Sequence, residues 1–144
     1  GMTLPNAASV NGSTAPRPGS VGAASAPPPE MIEALALVQR IGGKELLHKV
    51  IALFRSTSEQ RLGAMHAAHA TADHYQVSRL AHAMKGSAAQ VGAEALRAAS
   101  LAIEKEAQSL SPDDLLARLH ILADETAVAW GQLESYAQGA GGES

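Results

Sequence analysis

Leu47, Ile51, Phe54, Ser58, Leu62, Met65 and His69 follow one another at intervals of three and four residues. That spacing puts all seven on one face of a helix and is incompatible with the two-residue alternation of a strand. It predicts a long amphipathic helix from about Lys44 to Ala70. Leu46, Val50 and Leu53 form a second stripe on its flank, which a preceding helix is expected to cover. A helix of this length with one apolar face needs other helices to bury it.

The rest of the chain supplies them. Of 144 residues, 46% are hydrophobic, mostly Ala, Leu, Val and Ile. The aromatics are only Phe54, Tyr75, Trp130 and Tyr136. Ala and Leu are the strongest apolar helix formers, and β-branched runs of strand type are absent. A short helix is expected at about Glu30 to Ile41, opened by Pro28-Pro29 and closed by Gly42-Gly43. Thr71 or Asp73 caps a third helix to Val91, and Gly92 ends it. A fourth runs from about Ala93 to Leu110, with Leu96, Ala99, Ser100, Ile103, Ala107 and Leu110 on one face. The stretch "SPDD" at 111 to 114 supplies a serine cap, a proline and two acids, the signature of a helix start. The fifth helix then extends to about Ala137 and buries Leu115, Leu119, Leu122, Thr126, Trp130 and Leu133. Linkers this short favour antiparallel neighbours. The expected fold is therefore all-α: an antiparallel up-down four-helix bundle over residues 30–138, with a short additional N-terminal helix. Residues 1–29, rich in Pro, Ala, Ser and Gly, are expected to be a disordered arm, and 139–144 a flexible tail. Gly1 ahead of Met2 looks like a cloning remnant, which makes Met2 the expected native start.

Several functions are disfavoured by composition. Cysteine is absent, so disulfides and cysteine metal sites are excluded. A net charge of −3 with no basic run argues against nucleic acid. No apolar run approaches the length of a membrane span, and no secretory signal is visible, so a cytoplasmic location is expected. His66, His69 and His74 lack a convincing further ligand, and Glu45-x-x-His48 has no second Glu-x-x-His to complete a di-iron site. No metal or other cofactor is expected to bind, and His120 reads as a surface residue.

The third helix carries the chemistry. Val77, Leu80, Ala81, Met84, Ala88 and Val91 share its core face. His82 falls roughly 160° away from that face, on the side of Arg79, Gly86 and Ala89. Lys85 at i+3 and Gly86 at i+4 are its surface neighbours. The lysine can disfavour the protonated ring and pair with a phosphoryl group once attached. The glycine clears one flank of the ring although it costs helix stability. Reversible attack on phosphorus, giving a phosphohistidine, fits this arrangement. So does a solvated histidine beside a solvated lysine with an incidental glycine; spacing alone leaves both open.

The segment "LAHAMKGSAAQVGAEAL" resembles the signature of histidine-containing phosphotransfer (HPt) domains, through His82, Lys85, Gly86, Ser87, Gly92 and Leu96. The likeness extends upstream through "IGGKELLHKVIALF" and "ADHYQVSRLAH" and downstream through "LAIEKEA", over residues 32 to 137. It implies phosphorelay: His82 accepts a phosphoryl group from an aspartate of one receiver domain and passes it to another. It also implies that Lys85 steadies the phosphoryl oxygens, Gly86 gives access, and Ser87 orients groups at the edge. The position of Glu104 is often Glu or Gln in the family, where it can accept from Nδ1 and leave Nε2 as nucleophile; a solvated charge is the alternative for Glu104. Gln90 points away from His82 and is given no role.

The expected partners are response-regulator receiver domains and a hybrid histidine kinase, with magnesium arriving in the receiver's acidic pocket. A glycine-rich nucleotide loop is missing, and Ala83, not an acid, follows His82, so autokinase activity is not expected. The competing readings are a helical adaptor that docks receivers or kinases without carrying phosphate, and the dimerising helices of a kinase. The phosphotransfer reading predicts a monomer.

Overall fold

The computed structural model describes residues 26–143, with side chains to Gly139. The expected arm over 1–29 lies outside that range except for its last four residues, of which Pro29 already belongs to a helix. Four helices follow: α1 Pro29–Ala70, α2 His74–Gln90, α3 Glu94–Glu106 and α4 Pro112–Glu143, with a 3-10 turn at Ala107–Ser109 between the last two. No strand occurs among the described residues. In the packing, α1 meets α2, α2 meets α3, α3 meets α4 and α4 returns to α1. None of the described helices is long and apolar enough to cross a membrane.

The two expected helices on either side of Gly42-Gly43 form one helical run. Its only non-helical residue is Gly43, with φ 73° and ψ −167°, a conformation that needs glycine. Before the break, Met31 and Leu35 are fully buried. After it, Leu47, Phe54, Ser58, Met65 and Ala68 are buried, while Ile51 and Leu62 pack at the margin of the core. The second stripe departs from expectation, for Leu53 is 64% exposed. The first turn of α1 lies against Gly92 in the α2–α3 turn. The segment ahead of the break therefore closes that end of the bundle and does not cover the Leu53 flank.

Capping follows the sequence closely. The Asp73 side chain accepts from Gln76 N at 3.1 Å, and Thr71 closes α1 by donating to Ala68 O. Ser111 Oγ accepts from Asp114 N at 3.1 Å to start α4. The fourth expected helix is shorter than read, because its last turn tightens to 3-10 geometry and leaves Leu110 in extended backbone. By contrast α4 is longer, continuing through the Gly-rich stretch read as a tail. Each further residue adds a backbone hydrogen bond to an existing helix without a new nucleus.

The core is aliphatic, from Val77, Ala81, Met84, Leu96, Ile103, Leu115, Leu119, Leu122 and Leu133 among others. Three hydroxyls are buried in it, and Ser58, Ser100 and Thr126 each donate to the carbonyl four residues back. Ser58 also accepts from Trp130 Nε1 at 2.9 Å, which ties α4 to α1 through the indole.

Gly92 holds φ 73°, and a Cβ there would run into the Glu30 carbonyl and the Met31 Cα. Gly92→Ala should therefore destabilise the fold by about 2–4 kcal/mol, read as a lower urea midpoint with an unchanged slope.

Candidate functional site

α2 buries Val77, Ala81, Met84 and Ala88. With those four inward, the helical period turns His82 outward in mid-helix, and its side chain is 67% exposed. The neighbour that holds it comes from α3. The packing of α2 on α3 is fixed at this level by Ser78 Oγ, which donates to the Glu104 carbonyl at 2.7 Å. The Glu104 side chain then reaches back to α2, where Oε2 lies 2.8 Å from His82 Nδ1.

That contact settles the tautomer of the neutral ring. A carboxylate only accepts, so Nδ1 carries the proton and donates it. Nε2 keeps its lone pair, on a side chain that is mostly exposed.

Lys85, one turn along α2, sets its Nζ 2.8 Å from Glu104 Oε1. One carboxylate thus serves both the imidazole and the ammonium. Oε1 is shut off from solvent, and the Lys85 ammonium is the charged group that meets it. The side chains are 26% and 25% exposed. The Lys85 ammonium first, and the His82 ring second, hold the Glu104 carboxyl below its ordinary value.

Gly86 leaves open space, since a Cβ built there would meet nothing within 4 Å. Its dihedrals do not require glycine either; the positive-φ glycines are Gly43 and Gly92. Among the described residues, therefore, the missing side chain serves no packing purpose.

Ser87 is not brought to the His82–Glu104–Lys85 cluster. Its Oγ accepts from Arg61 Nη1 of α1 at 2.6 Å. Helical rotation places it roughly 140° around α2 from His82. The sequence reading gave Arg61 no role; the only signal was its position beside Leu62 at the margin of the α1 stripe. Together Arg61 and Ser87 border a shallow groove of about 210 Å³ whose apolar wall includes Leu53 and Val91. Gln90 lines the same groove.

Four of the remaining histidines make contacts between elements of the bundle. His69 Nε2 lies 2.8 Å from the Pro112 carbonyl and His74 Nδ1 3.1 Å from that of Ala107. Their rings stack at 6.2 Å, fastening the α1–α2 corner to the start of α4. His66 and His120 face each other across α1 and α4 with ring centroids 6.1 Å apart. Among the described residues no group of three or more His, Cys, Asp or Glu is placed to hold a metal ion.

A family model described as Hpt domain matches residues 49–135, more than half of the chain and a span that includes His82, Lys85, Gly86, Ser87 and Glu104. No curated protein and no solved structure matches the chain.

Because its folded-state value is depressed, the Glu104 carboxylate contributes stability fully above the unfolded value of about 4.3 and loses it as pH falls through the lower folded value. The stability advantage of wild type over Glu104→Gln should therefore shrink as pH falls below about 4, measured by urea unfolding at each pH.

Proposed function

Since the chain belongs to the Hpt domain family and so to two-component phosphorelay, we propose that His82 is its phosphoacceptor and shuttles a phosphoryl group between receiver-domain aspartates. The observation that carries this reading is an exposed imidazole whose Nδ1 is tied to Glu104, which leaves the lone pair on Nε2. In the forward step the Nε2 lone pair forms a bond to the phosphorus of an aspartyl phosphate. The P–O bond to the aspartate breaks, and its electron pair stays on the carboxylate oxygen. The ring keeps its Nδ1 proton and becomes cationic, and Glu104 faces that charge. Return transfer reverses each bond change and releases a neutral imidazole, a better leaving group than an imidazolate.

Lys85 supplies the cation for the phosphoryl oxygens in this reading. Gly86 supplies room for the partner's backbone over the ring. Ser87 acts away from the phosphoryl group, bracing α2 against α1 through Arg61. The partner receiver brings the magnesium and the acidic pocket, and a hybrid kinase is the upstream donor. The protein is thus half of an active site, completed by docking.

The helices alternate in direction, because linkers of three residues, 71–73 and 91–93, join pairs that pack on each other. The run ahead of Gly43 acts as the additional N-terminal helix. A monomer in the cytoplasm fits the relay.

Incubation with phosphorylated receiver domains of the same organism tests the assignment. Acid-labile label is expected on wild type and absent from His82→Gln. Label that persists in the variant, or never appears on wild type, supports the non-phosphorylated adaptor instead. Gly86→Ala should gain up to about 1 kcal/mol of stability. Gly86→Arg should keep its helical circular dichroism and lose about tenfold or more in labelling rate, as a docking obstacle worth about 1.4 kcal/mol would.

A further inference from the structure

The shared carboxylate has a consequence for Lys85. In the unphosphorylated protein this lysine is not a free cation waiting for phosphate; it is an ion-pair partner of Glu104. The contact joins a flexible side chain of α2 to a carboxylate oxygen of α3 at 2.8 Å, with both side chains about a quarter exposed. Resting on the reading of His82 as phosphoacceptor, we propose that Lys85 changes partner in the relay: it is parked on Glu104 while His82 is free and moves to the phosphoryl oxygens when Nε2 is occupied.

Charge is conserved in this exchange. Before transfer the Glu104 anion faces the Lys85 cation and a neutral ring that donates from Nδ1. After transfer the ring with its retained Nδ1 proton is cationic, and the phosphoryl group at Nε2 is a dianion. Lys85 then satisfies the dianion, which offers three oxygens and twice the charge of a carboxylate. Glu104 loses the ammonium at the moment the imidazolium forms on its other oxygen. The carboxylate is therefore never left without a positive partner, and neither is the phosphoryl group. When the phosphoryl leaves, the ring returns to neutrality and Lys85 to Oε1.

The charged groups around the ring are the right ones for such a swap. From α2 there is Lys85, and from α3 there is Glu104. Arg79 lies on the same side of α2, but its guanidinium sits over the Tyr75 ring at 5.9 Å. Glu104 is accordingly a positioning residue for two groups in turn, the nucleophile's ring and the cation.

A double-mutant cycle tests the exchange. The equilibrium fraction of phosphorylated protein is measured against the receiver domain that labels wild type most strongly. In wild type, Lys85→Gln removes a contact from both states, Glu104 before transfer and phosphoryl after, so the two losses partly cancel. In a Glu104→Gln background only the phosphorylated state loses a contact. The fall in the phosphorylated-to-free ratio on Lys85→Gln should thus be about three- to fivefold greater in that background, the size expected for one partly exposed ion pair. An equal or smaller fall overturns the proposal and leaves Lys85–Glu104 as a plain staple between α2 and α3.

A spectroscopic arm uses phosphoramidate as donor, whose P–N bond breaks as Nε2–P forms and whose nitrogen departs as ammonia. The Lys85 ammonium NMR signal should be lost on Glu104→Gln before phosphorylation and present in both proteins after it. A signal that keeps its dependence on Glu104 in the phosphorylated state overturns the exchange. Label taken up by His82→Gln would overturn the phosphoacceptor reading itself, a result separable from either of these.

Discussion

One carboxylate on α3 organises the surface of α2. Glu104 lies within 2.8 Å of both His82 Nδ1 and Lys85 Nζ, so it fixes a ring tautomer and a cation at once. Neither α2 group could be placed by its own helix alone. A histidine that is mostly solvent-exposed would otherwise sample several rotamers, and a lysine carries more rotamer entropy still. The bond from Ser78 to the Glu104 backbone sets the register of the two helices, and the side chain converts that register into a single ring tautomer.

The rest of the molecule keeps α2 and α3 in that register. Aliphatic side chains from all four helices fill the core, and its few hydroxyls bond to their own helix. The three buried hydroxyls thus make no demand on neighbouring helices, apart from the Trp130–Ser58 link between α4 and α1. At one end His69 and His74 fasten the corners to carbonyls. At the other, the first turn of α1 sits directly on the α2–α3 turn at Gly92. Both ends of the short helices that carry the site are therefore anchored.

Two glycines illustrate how differently the same residue can be used. Gly92 is demanded twice over, by a positive φ and by backbone packed where a side chain would begin. Gly86 is demanded by nothing among the described residues. A helix interior that accepts glycine without a conformational or packing reason leaves room on its outer face, and that room adjoins His82. The arrangement gives physical content to a motif that spacing alone could not separate from chance.

Amphipathic spacing and capping chemistry are local properties, and they made most of the fold legible. The stripe from Leu47 to Met65, the Asp73 and Ser111 caps and the outward position of His82 all follow from a fixed rotation per residue and from short-range hydrogen bonds. The juxtaposition of Glu104 with His82 was reached only through resemblance, because 22 residues and a turn separate the two in sequence. Which oxygen meets which nitrogen depends on how two helices slide past each other. The same reason hid Arg61, whose partner Ser87 lies on another helix, and turned Ser87 away from the site it was expected to edge. It also exposed Leu53, since the first turn of α1, ahead of Gly43, lands on Gly92 and leaves that flank uncovered. By itself, then, the sequence determined the helices and the direction of each side chain on them. Only the tertiary structure decided that a single carboxylate would be shared, because sharing is a matter of register between helices and not of periodicity within one.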